Sequence, residues 1–209
     1  MKTKIFNLII IDESGSMQCI KQMAINSVNE TIQTIHAAQQ RNENQEHFVT
    51  LVTFHNEVKS VYECVPVAEV EELTDATYQP IYCTALYDAM GISLNSLRGK
   101  VADGDKVLVT VVTDGYENAS REYDGVAIKA LVEELKAKGW VFAYIGANHD
   151  VEAVAAKISI KNTMSFTTTY EGVSNMSAGV CDSRSAWYDK IEKGKADSAE
   201  DNENFFQRN

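Results

Sequence analysis

The 209-residue chain carries 30 Asp and Glu against 19 Lys and Arg, a formal charge of −11, with 44% apolar and 23% charged residues. That length holds one well-buried core and is short for two, and the composition is that of an ordinary globular domain. With this charge and no Lys/Arg block, nucleic acid is excluded as the expected partner, and a first apolar run that ends after Phe6–Ile11, with Asn7 inside it, is too short for a signal core or a membrane span. A cytoplasmic protein without membrane contact is the expectation.

In chain order, Ile5–Ile11 reads as a strand that ends at Asp12. Met17 to about Gln40 then sets Met23, Ile25, Val28, Ile32 and Ile35 close to a 3.6-residue period, which predicts a helix. Phe48–Phe54 and Val58–Cys64 read as strands with only His55, Asn56 and Glu57 between them. So short a link permits no crossover, so the two should form an antiparallel hairpin at a sheet edge. Glu69 to Pro80 is an acidic, poorly periodic linker. Beyond it, helices are expected at Ala85–Leu97, Val126–Lys138 and Val151–Lys157, and strands at Lys106–Thr113, Trp140–Ile145 and Thr163–Thr168. The alternation predicts an α/β fold: a doubly wound, mainly parallel six-stranded sheet with one antiparallel edge strand, helices on both faces and strand order 3-2-1-4-5-6. Residues 1–170 are expected to form this domain, residues 171–191 a weak C-terminal helical extension, and residues 192–209 a polar, flexible tail. Cys19, Cys64, Cys83 and Cys181 are scattered, with neither a zinc spacing nor a disulfide framework. His36, His47 and His55 share no local spacing and are expected at the surface or at sheet ends, and Met17 and Met23 are expected to pack.

The strands ending at Asp12 and near Asp114 carry the chemistry. In doubly wound sheets, ligands bind outside the carboxyl ends of strands where the strand order reverses, here between the first and fourth strands. Asp12, Ser14 and Ser16 offer one carboxylate and two hydroxyls from a single loop, Asp114 a second carboxylate, and Thr84 a third hydroxyl. Hard oxygen ligands suit Mg²⁺, Mn²⁺ or Ca²⁺ better than zinc or copper. Taken singly, Ser14, Ser16 and Thr84 read as helix caps and Asp114 as a turn former; it is their joint occurrence at strand ends that points to a cation. Tyr82, Tyr87, Tyr116, Tyr123 and His149 lie on or near loops at the same end, where aromatics make interface anchors or half-buried packing. Glu117 and Asn118 either orient waters or face solvent.

The segments DESGSM (12–17), TALYDA (84–89) and TDGYEN (113–118), in that order, resemble the three loops of a von Willebrand factor A domain with a metal-ion-dependent adhesion site. The resemblance covers about residues 3–170. It implies a Mg²⁺-type ion held by Ser14, Ser16 and Thr84, with Asp12 and Asp114 contacting it directly or through water, and an open position filled by an Asp or Glu of a partner protein. Asp88 matches a family aspartate that supports the site from behind. The chain departs from the family pattern at Tyr82-Cys83-Thr84, where a glycine often precedes the threonine.

The expected function is a divalent-cation-dependent protein-binding module. The alternatives are a structural subunit of an ATPase-associated or phage-related complex with little metal function, and a Mg²⁺-dependent phosphohydrolase. The last usually needs a second acid two residues after the first, where this chain has Ser14. No G-x-S-x-G elbow, G-x-x-x-x-G-K-[S/T] or G-x-G-x-x-G stretch occurs. Two carboxylates and three neutral hydroxyls leave a cation electrophilic but supply no evident general base, so no catalytic residue is expected.

Overall fold

The computed structural model describes residues 2–206. Six strands form one sheet: β1 (Thr3–Asp12), β2 (Gln45–Phe54), β3 (Val58–Pro66), β4 (Lys106–Thr113), β5 (Val141–Gly146) and β6 (Asn162–Ser165). Their order is β3-β2-β1-β4-β5-β6, parallel throughout except for the antiparallel β2–β3 pair. This is the doubly wound architecture that the alternation of elements predicted. The helices are α1 (Lys21–Arg41), α2 (Leu86–Arg98), α3 (Gly125–Ala137), α4 (Val151–Lys157), α5 (Tyr170–Glu192) and α6 (Ser198–Asn204).

Strand β1 explains why both faces are covered. Its side chains alternate between two separate cores: Ile5, Ile9 and Ile11 pack with α1 and α5, while Phe6, Leu8 and Ile10 pack with α2, α3 and α4. A strand apolar on both faces is stable only in the middle of a layered fold, so Asp12 at its end is held at the centre of the sheet. β1 enters a short 3₁₀ turn, Gly15–Ile20, before α1 begins, so the expected helix from Met17 starts later. The last strand is also shorter than expected, because Thr169 already caps α5 by accepting a bond from Gly172 N.

Two expectations need correction. Residues 171–191 form the expected helix, but it is no appendage: Val173, Met176, Val180, Trp187 and Tyr188 of α5 belong to the core beside α1. Nor is 192–206 a flexible tail, since α6 docks through buried polar side chains. Asn202 bonds Phe142 N and Trp140 O, Asp201 accepts from Trp187 Nε1, and Phe205 N donates to Asn162 Oδ1. Side chains pairing with backbone at the start of β5 do what an apolar stripe does elsewhere, which composition hides. Residues 207–209 lie outside the described residues. His47 lies at a sheet end, as one of the two expectations for it had it, and is fully buried there, edge-on to Tyr188.

One further buried group stands out. Arg184 of α5 is 0% exposed and reaches the sheet, where it bonds Asn7 Oδ1, Tyr188 OH and Thr110 Oγ1.

Candidate functional site

The reversal of strand order brings the ends of β1 and β4 side by side, and five side chains named from the sequence meet there or border the meeting point. Ser16 Oγ donates to Asp114 Oδ1 at 2.6 Å, and Ser14 Oγ lies 3.2 Å from Ser16 Oγ. Asp12 accepts from Ser14 N at 2.7 Å through Oδ1 and from Thr113 Oγ1 at 2.6 Å through Oδ2. Thr84 is buried, and its Oγ1 would lie 3.7 Å from a Cβ built on Gly115, which places the hydroxyl against the backbone that follows Asp114.

The capping alternatives can now be tested. Ser14 stands at the N-terminus of the 3₁₀ turn but makes no side-chain capping bond, and α2 is preceded by Ala85, not by a capping Thr84 hydroxyl. Glu117 takes that role, accepting from Tyr87 N at 2.9 Å. The hydroxyls are therefore spared from local backbone work.

Electrostatically the crevice is dominated by its two acids. Asp12 is fully buried, and burial pushes its carboxyl up to about 6, against the pull of the Thr113 and Ser14 hydrogen bonds; the Asp114 charge adds to the rise. Burial likewise raises Asp114, while the Ser16 bond and the nearby His149 lower it. Among the described residues no Lys or Arg forms an ion pair with either acid. Asp114 Oδ2 is buried with no partner, a costly state for a carboxylate oxygen unless something else is bound there. Among the described residues no three His, Cys, Asp or Glu side chains gather into a metal-holding group. The donor set fits a hard divalent ion: acids for charge and hydroxyls for coordination number.

The model of the von Willebrand factor type A domain family matches residues 8–177. The chain belongs to that family. Solved structures with this fold include proximal thread matrix protein 1 from the mussel byssus, described with a zinc-occupied MIDAS motif (15% identity, TM-score 0.59, covering 88% of this chain and 46% of that one). Two others are a paralogue of ArnB from Sulfolobus acidocaldarius (18%, 0.57, 87% and 45%) and the minor pilin PilB from Streptococcus sanguinis, as a point mutant (15%, 0.58, 94% and 64%). The chain thus spans about half the length of the first two and under two thirds of the third. No curated protein sequence matches it significantly. Type A domains are protein-interaction modules in many proteins.

In this type A domain the loops behind the crevice are tied in ways the sequence did not reveal. Asn118 clasps Thr84 twice: its Oδ1 accepts from Thr84 N at 2.9 Å, and its N donates to Thr84 O at 3.0 Å. Asp88 accepts from Arg121, Glu122 and Tyr123 N–H groups, so it braces the loop after β4 against α2 and does not touch the acids. Tyr78, fully buried, donates to Asp12 O, and Glu13 O accepts from Ile81 N at 2.9 Å. Tyr82, one residue before the Cys83 that stands where the family often has glycine, has φ +62, a strained value for a bulky residue. It is held there by the bond from Gly15 N to its carbonyl. Cys83 is exposed.

At the rim of the type A domain, Ile81, Tyr82 and Tyr116 are 43%, 69% and 55% exposed, whereas Tyr87 and Tyr123 are half-buried. His149 packs on Tyr116 and Tyr144, and its Nδ1 bonds Ala147 O. Ser16 is itself exposed, so the crevice opens toward this rim.

Proposed function

We propose that the crevice binds one divalent cation, Mg²⁺ first and Mn²⁺ or Ca²⁺ as alternatives, and that an Asp or Glu of a partner protein completes its shell. Ser14, Ser16 and Thr84 would supply hydroxyl oxygens, with Asp12 and Asp114 contributing directly or through water. The observation that carries this reading is Asp114 Oδ2, a buried oxygen with no partner beside two hydroxyls that cap nothing. The cation supplies an electrophilic point for the incoming acid in a partly desolvated site, where that attraction exceeds its value in water. The exposed Ile81, Tyr82 and Tyr116 rim offers the apolar area that a lone metal–carboxylate contact lacks.

Binding without reaction is the function this supports. Both His149 nitrogens are engaged in hydrogen bonds, which argues against a free general base beside Asp114. All four cysteines are free thiols, which fits the reducing cytosol as the setting.

Two measurements test the proposal. Calorimetric titration of EDTA-stripped protein with Mg²⁺, Mn²⁺, Ca²⁺ and Zn²⁺ should show one site, lost in Asp12→Ala and Asp114→Ala; unchanged titrations in both variants would remove the assignment. Partner capture should then be abolished by EDTA and by Asp114→Ala. Capture indifferent to both would mean that recognition lies elsewhere.

A further inference from the structure

The Arg184 guanidinium is a cation sealed inside the protein without an anion. Its residue is 0% exposed, and among the described residues no carboxylate forms an ion pair with it. Its hydrogen-bond partners are neutral oxygens: Asn7 Oδ1 at 3.3 Å and Tyr188 OH at 3.2 Å from Nη1, and Thr110 Oγ1 at 2.5 Å from Nη2. The imidazole of His47, edge-on to Tyr188, has its pKa lowered by burial and by the Arg184 charge, so it adds no negative charge. A buried charge left uncompensated is among the costliest states a folded protein can hold.

The donor count is unbalanced as well. A guanidinium carries five N–H groups, and Nε is buried with no partner at all. The Nε–H points to the same side of the group as Nη2, so the unsatisfied donor belongs to the edge that ends at Thr110. Thr110 Oγ1 already accepts from Nη2, which leaves its own hydrogen to donate.

This side chain borders a cavity of about 20 Å³ between the sheet and the α1–α5 layer, walled by Ile9, Val28, Thr31, Thr110 and Val180 among others. The space suits a single occupant of about the size of a water molecule. A water there could use the Ser27, Thr31 and Thr110 hydroxyls but would leave the guanidinium charge uncompensated. An occupant that only accepts meets both deficits, the missing acceptor and the missing negative charge.

We propose that this cavity is a halide site, holding one chloride ion against the Nε edge of Arg184 and the Thr110 hydroxyl. It is independent of the cation crevice, and neither Asp12 nor Asp114 takes part.

The test compares urea unfolding of the full chain in EDTA with sodium chloride or sodium gluconate at matched ionic strength. Chloride, and not gluconate, should lower the unfolding constant, by about tenfold for each tenfold rise in concentration above its dissociation constant. Thr110→Val, which keeps the arginine, should weaken the dependence, and Arg184→Met should abolish it if that variant folds. Crystals of the wild type grown in sodium bromide need no variant and should show an anomalous peak in the cavity. Coincident chloride and gluconate curves, a refined water in the cavity in place of bromide, or a chloride effect with bromide bound only elsewhere would each overturn the proposal.

Discussion

Replacing His47 with glutamine should remove a specific dependence of stability on pH. His47 sits at the lower end of the sheet, opposite Ile5, and is 0% exposed. Gln45 Nε2 donates to Tyr188 O at 2.7 Å, which turns Gln45 Oε1 toward His47 Nε2 at 3.0 Å. The Nε2 atom therefore carries the proton, and Nδ1 is buried with no partner. Burial, and then the Arg184 charge, lower the imidazole from 6.5 to about 4. The folded state thus holds this proton less readily than the unfolded chain. The stability contribution is complete above pH 6.5 and is lost as pH falls from there toward 4, by about 3 kcal/mol in all. Asp12 acts in the opposite sense in the metal-free protein: its carboxyl is raised to about 6, so folding favours its protonated form and stability returns as pH falls. The wild-type curve mixes the two. The difference between wild type and His47→Gln, measured by urea unfolding in EDTA at steps from about pH 7.5 to about pH 4, isolates the histidine. A difference that stays constant across that range would refute the assignment of a buried neutral imidazole.

Asp114→Asn should leave the EDTA-treated protein as stable as wild type or more so, because burial opposes its charge, and should abolish stabilisation by Mg²⁺; thermal melts with and without the ion check both. Removing residues 193–209 strips Trp187 Nε1 and Phe142 N of their partners and Asn162 of its bonds to Asp201 and Phe205, and should cost roughly 2–4 kcal/mol in urea unfolding, with a red shift of tryptophan emission. In Gly91→Ala the new Cβ would meet the Tyr123 ring at 2.5 Å, so overpacking should destabilise by about 1–3 kcal/mol, largely relieved by adding Tyr123→Leu.

The sheet was legible because its strands are periodic or apolar over their whole length, and because three residues between β2 and β3 allow only one pairing. The reversal beside β1 was expected on the premise that later strands add on the side away from the hairpin, and the strand order meets that premise. What escaped the sequence lies in pairings between distant polar residues. Nothing local marks Asn118 as the partner of Thr84, or Glu117 as the cap of a helix that begins some thirty positions earlier. The segment after residue 192 was misjudged on the same ground. Its polar composition suggested solvent, yet Asp201 and Asn202 are spent on buried backbone and indole groups, with Phe205 as the apolar anchor. The Phe205-Phe206 pair was the one sign available. His47 lies at a sheet end, one of the two places expected for it, but a solitary histidine has no periodic context to declare its burial.

The hydrogen bonds around the crevice divide it into two stiff plates. One comprises the turn after β1 splinted by residues 78–82; the other is the loop after β4, stapled to α2 through Asp88 and to Thr84 through Asn118. Among the side-chain bonds of the crevice, Ser16 to Asp114 and Thr113 to Asp12 cross the seam. An ion seated there would act as a rivet between plates that are already rigid. Its arrival would order little backbone, and its mechanical effect would be to resist shear between β1 and β4 when a bound partner pulls.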